Sequence, residues 1–273
     1  MPLYRQQSFF FDCMVEEIKN LNQNAFSKLV AEATKAFPGV DTAIVPLGSL
    51  EQHGGHLPFS TDTIIVEHIS KIVADDANAF LLPSIHYGVS FEHEPFFNVS
   101  ISHNILLNFV SDVCISLFKQ GINRIYVING HHGNIGLLQY VGQHISSVYP
   151  AKGKFFYFIN YWQMLDKSFD HAGEVETSLM MSICPQLVRM DLSKNGMDLD
   201  KKNGGDDCDC NGKEGAISKA GINMSINNPG GFIKFTKNGI WGNPSNASAK
   251  KGRQMLSRIA EKMVLIIKDD YYR

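Results

Sequence analysis

The sequence predicts an α/β layered fold with a largely parallel sheet. Two observations carry this. Four short apolar runs end in Gly, Pro, Ser or Asn, the pattern of strands covered on both faces. Between and after them lie segments whose apolar residues recur at helical spacing, so strand and helix alternate along the chain.

The first run is "TAIVPLG", Thr42 to Gly48. The helical segment "TIIVEHISKIVADD" follows, with apolar residues at Ile64, Ile65, Ile69, Ile72 and Val73. The second run is "AFLLPS", Ala79 to Ser84. "NILLNFVSDVCISLFKQG" then repeats apolar positions at three and four and stops at Gly121, a C-terminal helix signal. "RIYVING", Arg124 to Gly130, is the third run, and "GLLQYVGQHISSV" its helix. "KFFYFIN", Lys154 to Asn160, is the fourth, followed by "EVETSLMMSIC". A long amphipathic helix closes the chain, with its cap expected near Ser245. A single domain over 1–273 is expected, interrupted by an irregular Gly/Asn/Asp/Lys-rich insertion around 194–229.

Composition narrows the function. A formal net charge of -2 over 273 residues supplies no field favouring nucleic acid or an anionic membrane. No apolar run approaches the ~20 residues of a membrane span, and the N-terminus has no export-signal pattern. A cytoplasmic protein is expected. The five cysteines, an odd number, argue against a disulfide framework. Cys208 and Cys210 have no second Cys or His pair at zinc-site spacing and read as part of an exposed loop.

The polar residues are not scattered. Ligands of α/β sheets bind outside the carboxyl ends of strands, and the polar clusters fall there. "GSLEQHGGHLPFSTDT" gathers Glu51, His53, His56 and Asp62. "NGHHGN" brings His131 and His132, and "DHAGEVETS" brings His171, Glu174 and Glu176. "SFEHEPFFN" adds Glu92 and His93. Imidazole and carboxylate donors without thiolates suit Zn, Mn or Fe. On an extended segment Glu51 and His53 point the same way, so they flank one centre or touch two adjacent ones. Asp62 has two oxygens with which to bridge. Two divalent ions roughly 3.5–4 Å apart activate a water and polarise a carbonyl. His68, His86 and His103 read as structural, and His56 as a possible loop hydrogen bond. The glycines of "HGGH" and "GHHGN" have a plain reading as tight turns. No G-x-G-x-x-G follows the first run, and neither a P-loop nor a G-x-S-x-G elbow occurs.

"LGSLEQHGGHLPFSTDT", "NGHHGN", "HAGEVETS" and "GIWGNPSNAS" occur in the order seen in the creatininase (creatinine amidohydrolase) family, which the chain resembles from about Val45 to its last helix. The resemblance implies a three-layer α/β/α sandwich with a mostly parallel sheet. It implies a homohexamer with two divalent metal ions, zinc first and manganese or iron as alternatives. It places Glu51, His131 and bridging Asp62 on one ion, and His53, Asp62 and Glu174 on the other. His171 matches the family's proton shuttle, and Glu176 is left to orient a ligand or cap its helix. Creatininase has a Glu ligand where this chain has Gly133, so creatinine is disfavoured as substrate. "FFNV", Phe96 to Val99, also departs from the family's usual loop. His132 either lines the pocket or faces away.

The expected activity is therefore hydrolysis of a non-peptide amide C–N bond in a small cyclic or formylated molecule, with His171 and Glu174 serving the chemistry. Peptide trimming, hydrolysis of an inositol derivative, and a non-catalytic metal-stabilised binding or assembly role are the alternatives.

Overall fold

A computed structural model describes residues 17–36, 41–166, 170–197 and 228–271. Most of the expected insertion, with Cys208 and Cys210, lies outside the described residues. Four parallel strands form the sheet in the order β2-β1-β3-β4: β1 Thr42–Leu47, β2 Phe80–Leu81, β3 Arg124–Asn129 and β4 Phe155–Asn160. The helices are α1 Gln23–Ala36, α2 Thr61–Ala77, α3 His103–Lys119, α4 Ile135–Val148, α5 Glu174–Ile183, α6 Gly231–Thr236 and α7 Ala249–Tyr271.

Alternation along the strands divides the interior into two cores. Ala43, Val45 and Leu47 of β1, with Ile125 and Val127 of β3, face a core completed by α3 and α4, against which Phe26, Leu29 and Val30 of α1 also pack. Ile44 of β1, with Tyr126 and Ile128 of β3, faces the other core, completed by α2, α5 and α7. Helices therefore cover both faces of one parallel sheet, giving the three-layer α/β/α sandwich. Each fully buried Ile or Leu contributes about 1.5–3 kcal/mol.

Pro46 sits in β1 without breaking it. Ile44 and Pro46 both accept through their carbonyls from the β2 side, from Leu82 and Ile85 N–H. The nitrogen of Pro46 faces that same side, where β2 has already ended, so no ladder donor is lost. β2 is shorter than the expected Ala79–Ser84, because Pro83 removes a donor just beyond it. Gly121, at φ 97°, stands two residues past the end of α3, just beyond its C-cap Gln120, as its signal predicts. α7 is capped by Ser248 rather than Ser245: Lys251 N–H donates to Ser248 Oγ at 3.3 Å, whereas Ser245 belongs to a preceding turn braced by Asn243. At its far end Asp270 accepts from Tyr126 and Tyr157 hydroxyls at 2.7 and 2.8 Å, tying α7 to β3 and β4. Among the described residues no helix is long and apolar enough to cross a membrane.

The chain leaves β1 toward β2 and leaves β3 toward β4, so the connections diverge between β1 and β3. A crevice forms at such a switch point, beyond the strands' carboxyl ends.

Candidate metal centre

The crevice between β1 and β3 collects the predicted polar residues. Glu51 and His53 follow β1, Asp62 lies in the first turn of α2, and His131 follows β3. His171 precedes α5, held by reciprocal main-chain hydrogen bonds with Trp241 at 2.9 and 2.8 Å. All five are almost wholly buried, none more than 4% exposed.

Glycines bring α2 against the strand ends. A Cβ on Gly48 would meet Thr63 Oγ1 at 2.3 Å, and one on Gly130 would meet the Asp62 carbonyl oxygen at 2.7 Å. These two serve close approach rather than positive φ. Gly54, at φ 64°, fits the turn reading. The two asparagines of "NGHHGN" are braces. Asn129 Oδ1 accepts from His131 N–H at 3.1 Å, and Asn134 ties Val89 N–H (3.0 Å) to the Gly48 carbonyl (3.2 Å).

Asp62 spans the two central histidines. Its Oδ1 is 3.1 Å from His53 Nε2, and its Oδ2 is 3.1 Å from His131 Nδ1. His131 Nδ1 is also 3.1 Å from Glu51 Oε1. The opposite ring nitrogens are committed elsewhere: His131 Nε2 to the Val89 carbonyl at 2.8 Å, and His53 Nδ1 to the Glu51 carbonyl at 3.2 Å. A carbonyl only accepts, so each ring spends an N–H there. The nitrogens facing Asp62 are then lone pairs opposed to carboxylate oxygens, unless a proton or a cation lies between them. Glu51 Oε1 and Asp62 Oδ2, both facing the lone pair of His131 Nδ1, are buried without a hydrogen-bond donor. This donor set fits a cation, and carbonyl-anchored imidazoles are how proteins orient metal-binding histidines.

The electrostatics agree. Burial disfavours charge on His53, but Asp62 and Glu176 outweigh it and raise its pKa to about 10. Burial opposes charge on His131 too, and Glu51 and Asp62 lift it well above the ordinary value. Burial would raise Glu51, yet His131 and His93 hold it well below the usual carboxylate range. The field that draws protons onto these rings is the field that draws a divalent ion in their place. Burial and the neighbouring His53 keep His171 well below its ordinary pKa.

One predicted ligand stands outside. Glu174 Oε1 pairs with Lys251 Nζ at 2.8 Å, and its carboxylate belongs to none of the metal-competent groups. Glu176 occupies the place expected for it. Glu176 Oε2 is 3.6 Å from His53 Nε2 and accepts from Ala172 N–H at 2.6 Å. Burial, with the Asp62 and Asp170 carboxylates acting against His53, pushes the Glu176 carboxyl up to about 8. The physical reason is helical. Positions two apart on a helix lie roughly 200° apart, so Glu174 and Glu176 cannot share a face.

His93, which the sequence pattern alone assigns no role, joins the cluster. It lies 2% exposed with Nε2 abutting Glu51 Oε2. Glu92 Oε1 is 3.4 Å from His131 Nε2. Among the described residues four overlapping donor groups result: Glu51/His53/Asp62, His53/His171/Glu176, Glu51/His93/His171 and Glu92/His93/His131. His132 is in none of them; its ring stacks toward Trp162 at 6.1 Å, and burial lowers it to about 4. His56 is also in none of them, and contacts Thr177 Oγ1 at 3.0 Å. His68, His86 and His103 are exposed. Gly133 has no room for the glutamate that creatininase carries there: a Cβ would lie 2.2 Å from the Val89 carbonyl oxygen and 2.5 Å from His131 Nε2.

The family model described as Creatininase, creatinine amidohydrolase, matches residues 29–267. The chain belongs to the creatininase family. It is a hydrolase of that family, acting on C–N bonds. The mycofactocin precursor peptide peptidase of Mycolicibacterium smegmatis is 29% identical over 234 residues, covering 81% of each chain. Among solved structures, a creatininase in its Mn form aligns with TM-score 0.74 at 19% identity, covering 94% of this chain and 99% of that one. A creatininase of Zn–Zn type aligns with TM-score 0.72 at 20% identity, covering 93% and 97%.

Proposed function

We propose that this family member is a binuclear metal-dependent amidohydrolase that opens the C–N bond of a compact cyclic or formylated amide. The carrying observation is Asp62, whose two oxygens each face a histidine lone pair at 3.1 Å. Glu51, Asp62 and His131 would hold one divalent ion, and His53, Asp62 and Glu176 the other. Glu176 takes the role first given to Glu174. The donor set is nitrogen and oxygen, matching the zinc and manganese of the solved relatives. Bound there, such ions supply Lewis acidity to a carbonyl and make a water a nucleophile near neutral pH.

The chain's own residues do the rest. His171, neutral and with Nδ1 3.8 Å from Glu51 Oε1, stands beside the cluster to carry a proton to the departing nitrogen. Near-complete burial of the cluster excludes bulk water and strengthens every charge interaction within it. Asn129 and Asn134 hold His131 in place, and the Ala172 N–H holds Glu176.

A second reading has its own support. Similarity to a peptidase over 81% of both chains favours a short peptide end as substrate. Metal-loaded and metal-free protein, assayed against creatinine, formamides and short peptides, separates the readings. Turnover of a compact amide supports the first, and turnover of peptides alone replaces it with the second. Equal turnover by metal-free protein contradicts both.

A further inference from the structure

Gln52 lies between Glu51 and His53 and is 4% exposed. Its amide orientation is fixed, because Gly54 N–H donates to Gln52 Oε1 at 2.9 Å. The Nε2 end then faces three partners: His93 Nδ1 at 2.9 Å, the Gly239 carbonyl at 3.1 Å and His171 Nε2 at 3.2 Å. An amide nitrogen has two hydrogens for these three. The Gly239 carbonyl only accepts, so it takes one. The nearer ring nitrogen, His93 Nδ1, takes the other.

The assignment propagates. With Nδ1 accepting, the neutral His93 ring carries its hydrogen on Nε2, the atom abutting Glu51. His171 Nε2 has a second partner, the main-chain carbonyl of Gln52 itself, at 3.1 Å. An N–H on that nitrogen satisfies the carbonyl. It leaves Nδ1 as the lone pair on the side of Glu51 Oε1. The turn that closes over Gln52 has no space for a side chain at Gly239: at φ 74°, a Cβ there would lie 2.1 Å from Gln52 Oε1. The same turn carries Trp241, which pairs with the His171 main chain.

We propose that Gln52 is a positioning residue: its side-chain amide and main-chain carbonyl together set the ring tautomers of His93 and His171, so that His171 presents Nδ1 to the reacting groups. This rests on the reading of His171 as the proton carrier. Orienting partners of this kind are worth about 10- to 100-fold in activity.

The test uses zinc-loaded protein with ¹⁵N-labelled histidine rings, as wild type, Gln52→Glu and Gln52→Met. Wild type should show His93 and His171 each protonated at Nε2. In Gln52→Glu the near-isosteric carboxylate only accepts, so His93 should carry its hydrogen on Nδ1 rather than on Nε2. Gln52→Met, similar in size and uncharged, keeps the main-chain carbonyl that holds His171 but should lose the single tautomer at His93, and decides the matter where the Glu variant does not fold. Zinc content should stay at the wild-type value. On the amide turned over fastest by wild type, kcat should fall about 10- to 100-fold with KM within about twofold. Ring patterns identical to wild type in the folded variants, or a wild-type His171 protonated at Nδ1, would overturn the proposal. Failure of the hydrolase reading shows separately, as wild-type protein without amide turnover, and the ring patterns still decide the role of Gln52.

Discussion

Glu174 and Glu176, two positions apart in the first turn of α5, point to opposite sides of it. Glu174 meets Lys251 at 2.8 Å, while Glu176 reaches His53 at 3.6 Å. Their conservative variants should therefore behave differently. Glu176→Gln should lose one of two metal ions and at least about tenfold in rate. Glu174→Gln should keep both ions and lose under about 1 kcal/mol, the range of a partly exposed ion pair. Elemental analysis and thermal melts of the two variants check this; metal loss from Glu174→Gln alone would reverse the assignment.

His171 contacts the cluster but is placed here as a proton carrier, not as a metal ligand. His171→Ala should retain metal and lose about 10²–10⁴ in kcat. Stoichiometry measured beside turnover tests the distinction. Loss of an ion in this variant would make His171 a ligand.

Gly133 is packed between His131, Val89 and Glu92, with a Cβ position 2.4 Å from Glu92 Oε1. Gly133→Ala should destabilise the fold by about 1–3 kcal/mol through overpacking. It should also weaken metal uptake by moving His131. Denaturant melts and metal titration measure the two effects, and a variant as stable as wild type would show that this contact yields freely.

Cys114 is fully buried in the α3 core, and burial pushes its thiol up to about 12. A raised pKa leaves the neutral thiol dominant at any pH below it, so at pH 8 the thiolate is scarce. Iodoacetamide should spare Cys114 in the native protein and label it after unfolding. Peptide mapping reads the difference, and native labelling would mean that this core opens readily.

Much of this arrangement is legible in the sequence because two periodicities are. β1 and β3 are buried on both faces and β4, at the sheet edge, is buried only toward its end, yet each reads as an unbroken apolar run, and their observed ranges begin and end within a residue of those runs. α1 has no counterpart in the sequence reading: among its described side chains Phe26, Leu29 and Val30 pack on the sheet core, a short stripe within a mostly polar segment. Glu51, His53, Asp62 and His131 lie together as the sequence expects because strand-end loops concentrate them. Glu174 and Glu176 both lie in the first turn of α5, whose start the sequence locates, but which of the two faces His53 depends on how the helix is rotated about its axis against its neighbours, and its own pattern does not fix that. The approach of His93 to Glu51 depends on the turn over 91–93, which no local pattern fixes. The tautomers depend on carbonyls of Val89 and Gly239, distant in sequence from the rings they orient.

Asp62, with one oxygen toward His53 and the other toward His131, would be shared by both metal ions. Elemental analysis of wild-type protein purified without added metal, beside Asp62→Asn, measures this. About two Zn, Mn or Fe per chain are expected in wild type, with loss of metal and turnover together in the variant. Wild type that holds no metal and takes up none on titration, or an Asp62→Asn variant that keeps both ions, would contradict this sharing.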